Sequence, residues 1–346
     1  MWETVEFIQS EYPWVLLAFF FVFGACWGSF LNVVVYRLPA GKSLSKPPSH
    51  CYGCGKPIRW YDNLPILSWC LLRGKARCCG ATFSMRYAII EALTGLLFAL
   101  CWWQFGPETP LKALAAMVFV FFLLAGSFID LDTMELPDVF TVGGAVLAVL
   151  LSFALPSMHG FTGEVWIQEM MRSGMTAMVG VLVGSAVVLW ILVLAEAVLK
   201  KEAMGFGDVL WVGFIGGFCG WQGGVFAVFG GALLGSIGML PILLVQRMSG
   251  SKAPHASSEA LPSPCASLDP KAAIGDVSRM MRQRDAAAKG EALNEADAGQ
   301  LVGRAIPFGP WLALAGLLYF LLVGEYVDAW FADVAQTVFG GALNPR

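Results

Sequence analysis

Eight long apolar runs, parted by shorter polar stretches, set the pattern of this chain: Trp14–Tyr36, Ala88–Gln104, Leu111–Asp130, Val139–Pro156, Thr176–Leu199, Val209–Gly220, Val225–Val245 and Ile306–Val327. Several approach the ~20 residues with which a helix crosses a bilayer, so the pattern predicts an all-α polytopic membrane protein with about eight transmembrane helices. Val209–Gly220 is short and needs its flanks or a partly re-entrant path, and the glycine-rich stretch around Trp221 is the weakest division. The first run does not read as a cleaved signal peptide, because Met1–Trp14 is acidic rather than basic and the segment is long. Composition agrees: of 346 residues, 57% are hydrophobic and only 14% charged, too few charges for a soluble domain.

The charges orient these runs. Lysine and arginine gather on the cytoplasmic side of membrane proteins, and their positions count for more than the formal net charge of −3. Nine of the 22 lie between Arg37 and Arg86, so that segment is expected in the cytoplasm and the N-terminus outside. Counting spans onward brings Lys200, Lys201 and eight more between Arg247 and Arg304 to the same side, leaving Lys112, Arg172 and Arg346 outside. The same count delivers Asp130 and Asp208 to the cytoplasmic ends of two separate runs.

In the first run, Gly28 and Ser29 suit close helix packing, Asn32 follows, and Arg37 reaches for the interface; Pro39 and Gly41 then end the helix. Cys51-Tyr52-Gly53-Cys54 comes next, followed after 23 residues by Cys78-Cys79. Paired thiols in a reducing compartment suit tetrahedral Zn²⁺, so a structural metal site at Cys51, Cys54, Cys78 and Cys79 is expected. A second Cys-x-x-Cys would need a cysteine where this chain has Ala76. Cys78 is one source of the fourth ligand, His50 and Cys70 are others, and three thiolates with water or free thiols in a compact knuckle are the alternatives. Asp62-Asn63-Leu64-Pro65 reads as a turn. Glu91, just inside the second run, is expected to pair with Arg86, the alternative being a functional role. Cys26, Cys101 and Cys219 read as small core residues, and His159 as a surface residue of an outer loop.

An ionisable group at the edge of an apolar run is costly and so suggests function. Phe128-Ile129-Asp130-Leu131-Asp132 closes one run, and Met204-Gly205-Phe206-Gly207-Asp208 opens another, its glycines permitting close backbone approach. Asp130 and Asp132 point apart on a helix, so they do not share a partner. Pro137-Asp138 reads as a helix start, and Asp132, Glu135 and Asp138 as solvated or capping groups. If Asp130 and Asp208 meet, two carboxylates that cannot both ionise easily supply a general base and a neutral acid, the equipment of an aspartyl hydrolase. Ile306-Pro307-Phe308-Gly309-Pro310 either restarts a helix or shapes one wall of a cleft. Between Gln246 and Arg304 the composition turns to Ala, Ser, Pro and mixed charge. That insertion is expected to be flexible, with Ile274–Ala298 able to form a helix. There is no phosphate-cradling glycine loop, and no basic patch with interleaved aromatics to suggest nucleic acid.

Taken in order from Gly28 to about Gly316, these motifs resemble the bacterial type IV prepilin peptidases, or leader peptidase/N-methyltransferases. The resemblance is carried by Gly28–Pro39, Cys51 and Cys54, Asp62–Pro65, Arg73-Gly74-Lys75, Ser84–Tyr87, Phe128–Asp138, Met204–Asp208 and Ile306–Pro310. It implies that Asp130 and Asp208 are the catalytic pair of a multi-pass aspartic endopeptidase in the bacterial inner membrane, acting at the cytoplasmic face. Such an enzyme cuts the basic leader from type IV prepilins or type II secretion pseudopilins after a glycine. It then methylates the new N-terminal amine with S-adenosyl-L-methionine; the residues that bind this cofactor are not identified. Ala76 departs from the second Cys-x-x-Cys usual in the family. The implied organisation is a first transmembrane helix (1–36), a cytoplasmic cysteine domain possibly linked to methyl transfer (37–87), a peptidase core (88–246), the insertion (247–304) and a last helix with its tail (305–346). The alternatives are a peptidase without methyltransferase activity and a proton-coupled transporter using the two aspartates as a relay. Transporters often carry repeated halves, and no such repeat is seen.

Overall fold

The computed structural model describes residues 2–51, 53–200, 205–248 and 307–339. The helix expected over Ile274–Ala298 lies outside them. Among the described residues the fold is helical, with only two isolated β-bridges, His50 to Pro57 and Lys75 to Thr82. The helices are α1 (Trp2–Glu11), α2 (Pro13–Arg37), α3 (Leu67–Leu72), α4 (Arg86–Phe105), α5 (Pro110–Thr133), α6 (Val142–Ala154), α7 (Trp166–Leu199), α8 (Phe206–Met248), α9 (Gly309–Leu318) and α10 (Gly324–Phe339), with a π-turn over Tyr319–Val323 joining the last two.

Among the described residues, six helical segments are long and apolar enough to cross a membrane: α2, α4, α5, α7, α8 and the composite Gly309–Val338. The expected count of eight is not confirmed by length and hydropathy alone, and two stretches account for the difference. The Val139–Pro156 run yields only the 13 residues of α6, because a turn after Pro137 takes up its start and Pro156 its end. The two glycine-rich runs on either side of Trp221 belong to α8, which is broken at Gly220, where φ is 74° and ψ 176°. This break reverses the chain: a Cβ placed on Gly224 would stand 3.4 Å from the Gly216 Cα. In a straight helix those positions would lie about 12 Å apart. Only a residue without a Cβ adopts that backbone cheaply.

Small residues bring the helices together. Gly28 of α2 meets α4 so closely that a Cβ would fall 2.7 Å from the Glu91 Cα. Gly180 of α7 and Gly216 of α8 each face the other's carbonyl. Where α5 and α8 stand further apart, aromatic rings fill the space: Phe119 stacks on Phe218 at 4.7 Å and tilts against Phe214 at 5.4 Å. Cys101 and Cys219 are buried as expected, whereas Cys26 is exposed. His159 is not a plain surface residue. It turns inward, Nε2 3.1 Å from the Ser152 Oγ, and hydrogen-bonds the backbone of Gly217 shortly before the α8 break. Burial, and then the charge of Lys112, lower its pKa to about 4.

Candidate active site and thiol cluster

The carboxylate centre is assembled from three helix ends. α5 stops at Met134, which adopts a left-handed conformation (φ 58°) and returns its N–H to the Asp130 carbonyl at 2.8 Å. That leaves Asp130 in the last turn of an apolar helix and only 6% exposed, so its carboxylate needs a donor. α9 provides one. The first N–H groups of a helix have no intrahelical acceptor, and Pro310 has no N–H at all. The Gly309 N–H donates to Asp130 Oδ2 at 3.1 Å. A Cβ on Gly309 would fall 2.6 Å from that oxygen, so this position has to be glycine for the approach to occur.

Asp208 lies in the first turn of α8, its N–H bonded to the Gly205 carbonyl at 3.1 Å. There the helix dipole favours negative charge. Its carboxylate is close enough to Asp130 for the two charges to interact. One turn further along α8, the Trp211 indole donates to the Gly309 carbonyl at 3.2 Å, tying the start of α8 to the start of α9. Leu136 lies beside both: its Cβ would stand 3.3 Å from a Cβ on Gly207, and its Cδ1 3.6 Å from one on Gly309. The structure therefore brings Asp130 and Asp208 together. It adds Gly309, Trp211 and Leu136, whose part was not legible; the Gly-Pro pair opening the last run was the only signal available.

Asp132 is not simply solvated. Arg86 clasps it with two parallel hydrogen bonds of 2.8 Å, joining the start of α4 to the end of α5. The expected Arg86–Glu91 pair is therefore not formed. Glu91 instead accepts the Ile66 N–H at 2.7 Å and the Ser29 hydroxyl, linking the membrane helices to the cysteine lobe. Asp138 does not open a helix directly: Val142 is the first residue of α6, with Thr141 as its N-cap. Arg37 folds back onto the carbonyls of Ser43, Leu44 and Pro47, fixing the entry to the lobe.

Within the lobe, two turns share one hydrogen-bond pattern. Cys51 N–H bonds Lys56 O and Gly55 N–H bonds Cys51 O, both at 2.8 Å; Ala76 N–H bonds Ala81 O at 2.8 Å and Gly80 N–H bonds Ala76 O at 2.7 Å. Ala76 thus occupies the place that Cys51 takes in the first turn, and Cys79 the place of Cys54. The fourth sulfur comes from Cys78, two residues past the gap. The four Sγ atoms lie within 4.8 Å of one another, with Cys51 to Cys79 at 3.5 Å, Cys54 to Cys78 at 3.3 Å and Cys78 to Cys79 at 3.9 Å. Tetrahedral zinc with bonds of 2.3 Å holds its sulfurs about 3.8 Å apart, so this donor set fits that ion. Burial raises the Cys51 thiol, but hydrogen bonds from the Gly53 backbone and from neighbouring thiols outweigh it and bring the group down to about 7. Cys78, bonded to Cys54 and Cys51, is pushed up to about 12. His50 turns its Nδ1 to the Pro48 carbonyl at 3.0 Å, and neither it nor Cys70 belongs to the cluster.

A polytopic helical membrane protein with paired carboxylates at its helix ends and a four-thiol lobe is the class this architecture defines. A family model described as Bacterial Peptidase A24 N-terminal domain matches residues 22–105, and one described as Type IV leader peptidase family matches residues 117–240. The prepilin leader peptidase/N-methyltransferase of Myxococcus xanthus (strain DK1622) is 33% identical over 342 residues, spanning 93% of this chain and 95% of that protein. That of Aeromonas salmonicida (strain A449) is 32% identical over 348 residues, 92% of this chain and 94% of that protein. A type 4 prepilin-like proteins leader peptide-processing enzyme of Escherichia coli O78:H11 is 36% identical over 234 residues, 62% of this chain and 80% of that protein. No solved structure matches. The chain belongs to the type IV leader peptidase family.

Proposed function

We propose that this chain is a multi-pass inner-membrane aspartic endopeptidase that removes the basic leader of type IV prepilins or type II secretion pseudopilins after a glycine and then N-methylates the new N-terminus. Asp130 and Asp208 are its catalytic pair. The observation that carries this reading is the meeting of the two carboxylates at three helix ends, with Asp130 held by the Gly309 N–H. The ionised member takes a proton from the attacking water, and the neutral member polarises the scissile carbonyl. Gly309 keeps one Asp130 oxygen oriented while the other stays available. The concentration of Lys and Arg between Arg37 and Arg86 supports a cytoplasmic site and an N-terminus outside. That placement suits a substrate whose basic leader stays in the cytoplasm while its apolar helix lies in the bilayer.

Two further groups belong to this reading. Zinc would be held by Cys51, Cys54, Cys78 and Cys79, where it closes the lobe and plays a structural part. S-adenosyl-L-methionine, when bound, supplies an electrophilic methyl group. The test is the intact mass of a prepilin co-expressed with this enzyme. Loss of the leader together with one added methyl supports both activities, loss without the methyl leaves a peptidase alone, and an uncut prepilin contradicts the proposal.

A further inference from the structure

The cysteine lobe joins the membrane helices at both ends, after Arg37 of α2 and before Arg86 of α4, and a cavity of about 790 Å³ parts it from them. Its short helix α3 has two unlike sides. Ser68, Trp69 and Leu72 line the cavity. Leu67, Cys70 and Leu71, spaced i, i+3 and i+4, share the other side. None of these three belongs to the cavity wall, and all are exposed, Leu67 by 57% and Leu71 by 74%. The 3₁₀ turn over Trp60–Asn63, which packs on α3, adds Trp60, also off the cavity wall and 78% exposed.

The depth of α3 says what covers this side. Its N-cap, Ile66, donates its N–H to Glu91 at 2.7 Å, and the same carboxylate accepts the Ser29 hydroxyl. Glu91 stands five residues into α4 from Arg86, and Ser29 eight residues short of Arg37 at the end of α2. At 1.5 Å per residue, the start of α3 therefore lies about 7 Å below the level of Arg86 and about 12 Å below that of Arg37. Both offsets run toward the middle of helices long and apolar enough to cross a bilayer. Arginines at span ends mark the headgroup region, so α3 sits at the boundary between headgroups and acyl chains. Arg73 and Lys75, exposed just past α3, have no carboxylate partner among the described residues. Anionic headgroups supply one.

We propose that the outward side of α3 is a membrane-docking face: Leu67, Cys70 and Leu71, with Trp60 beside them, are seated in the lipid leaflet, and Arg73 and Lys75 meet its phosphates. The occupant is membrane lipid, not a protein. The leaflet is the cytoplasmic one by the sidedness in the proposed function, on which that part rests. Apolar side chains leave water at this depth as those of other interfacial helices do, and the indole of Trp60 suits the same boundary. The lobe is thereby held against the bilayer by a face of its own as well as by its two chain connections.

The test uses the full-length enzyme in inverted membrane vesicles, with p-benzoylphenylalanine in place of Leu71 or, as a reference, of Leu96, an exposed residue in the middle of α4. Irradiation is expected to give a phospholipid adduct at both positions, read by mass. An adduct at Leu96 with none at Leu71 overturns the proposal, as does a Leu71 adduct to protein alone. Cys70 gives a second readout with no change to the face. A charged maleimide is expected to label Lys46→Cys in intact vesicles and to leave Cys70 unlabelled until the protein is denatured, each cysteine being read by peptide mapping. Cys70 labelled as fast as Lys46→Cys overturns the proposal. Labelling of Lys46→Cys only in right-side-out vesicles overturns instead the sidedness beneath it, whereas the lipid adduct is read in either orientation.

Discussion

The orientation of Asp130 depends on a backbone N–H, and this makes Gly309 the most sensitive position outside the carboxylates themselves. Gly309→Ala puts a methyl group 2.6 Å from Asp130 Oδ2, so the carboxylate or the start of α9 must move. Misplacing a reacting group by about 1 Å costs on the order of 100-fold in rate, and prepilin cleavage by this variant is expected to fall by about 10- to 100-fold with binding of the leader unchanged. Steady-state kinetics that separate kcat from KM check this. That Asp130 and Asp208 lie near each other was legible because an ionisable residue at the edge of an apolar run has no comfortable structural role. Gly309 was not, because a backbone donor leaves no side-chain signature. Glu91 was misassigned for a related reason. Positions 86 and 91 are about 140° apart around a helix, and the Arg86 guanidinium finds a bidentate partner in Asp132 on the neighbouring helix instead.

At the scale of elements, the cysteine lobe shows how spacing misleads when a ligand is displaced. The expected second Cys-x-x-Cys fails at Ala76, yet both turns keep the same backbone bonds, and Cys78 reaches the cluster from a neighbouring position. Cys78→Ser is expected to lose bound zinc, and adding Ala76→Cys to restore one ion per chain; metal analysis of purified protein measures both. The α8 break was only half legible, because glycine richness marks a weak point but not the direction the chain takes after it. Near that break, His159 makes the fold acid-sensitive. In the folded protein its pKa is about 4, against an ordinary value of 6.5, so the unfolded chain takes up the proton first. Stability is therefore lost as pH falls from 6.5 towards 4 and is unaffected above it. Thermal unfolding of His159→Gln across that range is expected to show a flatter pH dependence than wild type.

For the whole molecule, the long apolar runs were sufficient to read a polytopic helical protein. The count of eight is not confirmed: among the described residues six helices meet the length and hydropathy of a span, a turn shortens α6, and the two runs around Trp221 form one helix broken at Gly220. The organising feature is that helix ends far apart in sequence converge: the last turn of α5, the first turn of α8 and the first residue of α9. The most direct test is the rate of prepilin cleavage by purified wild type, Asp130→Asn and Asp208→Asn enzymes, each checked for an unchanged unfolding temperature. Removing a member of a unit that works together abolishes its chemistry, so both variants are expected to fall by at least about 1,000-fold. Cleavage within 10-fold of wild type by either folded variant would contradict the account.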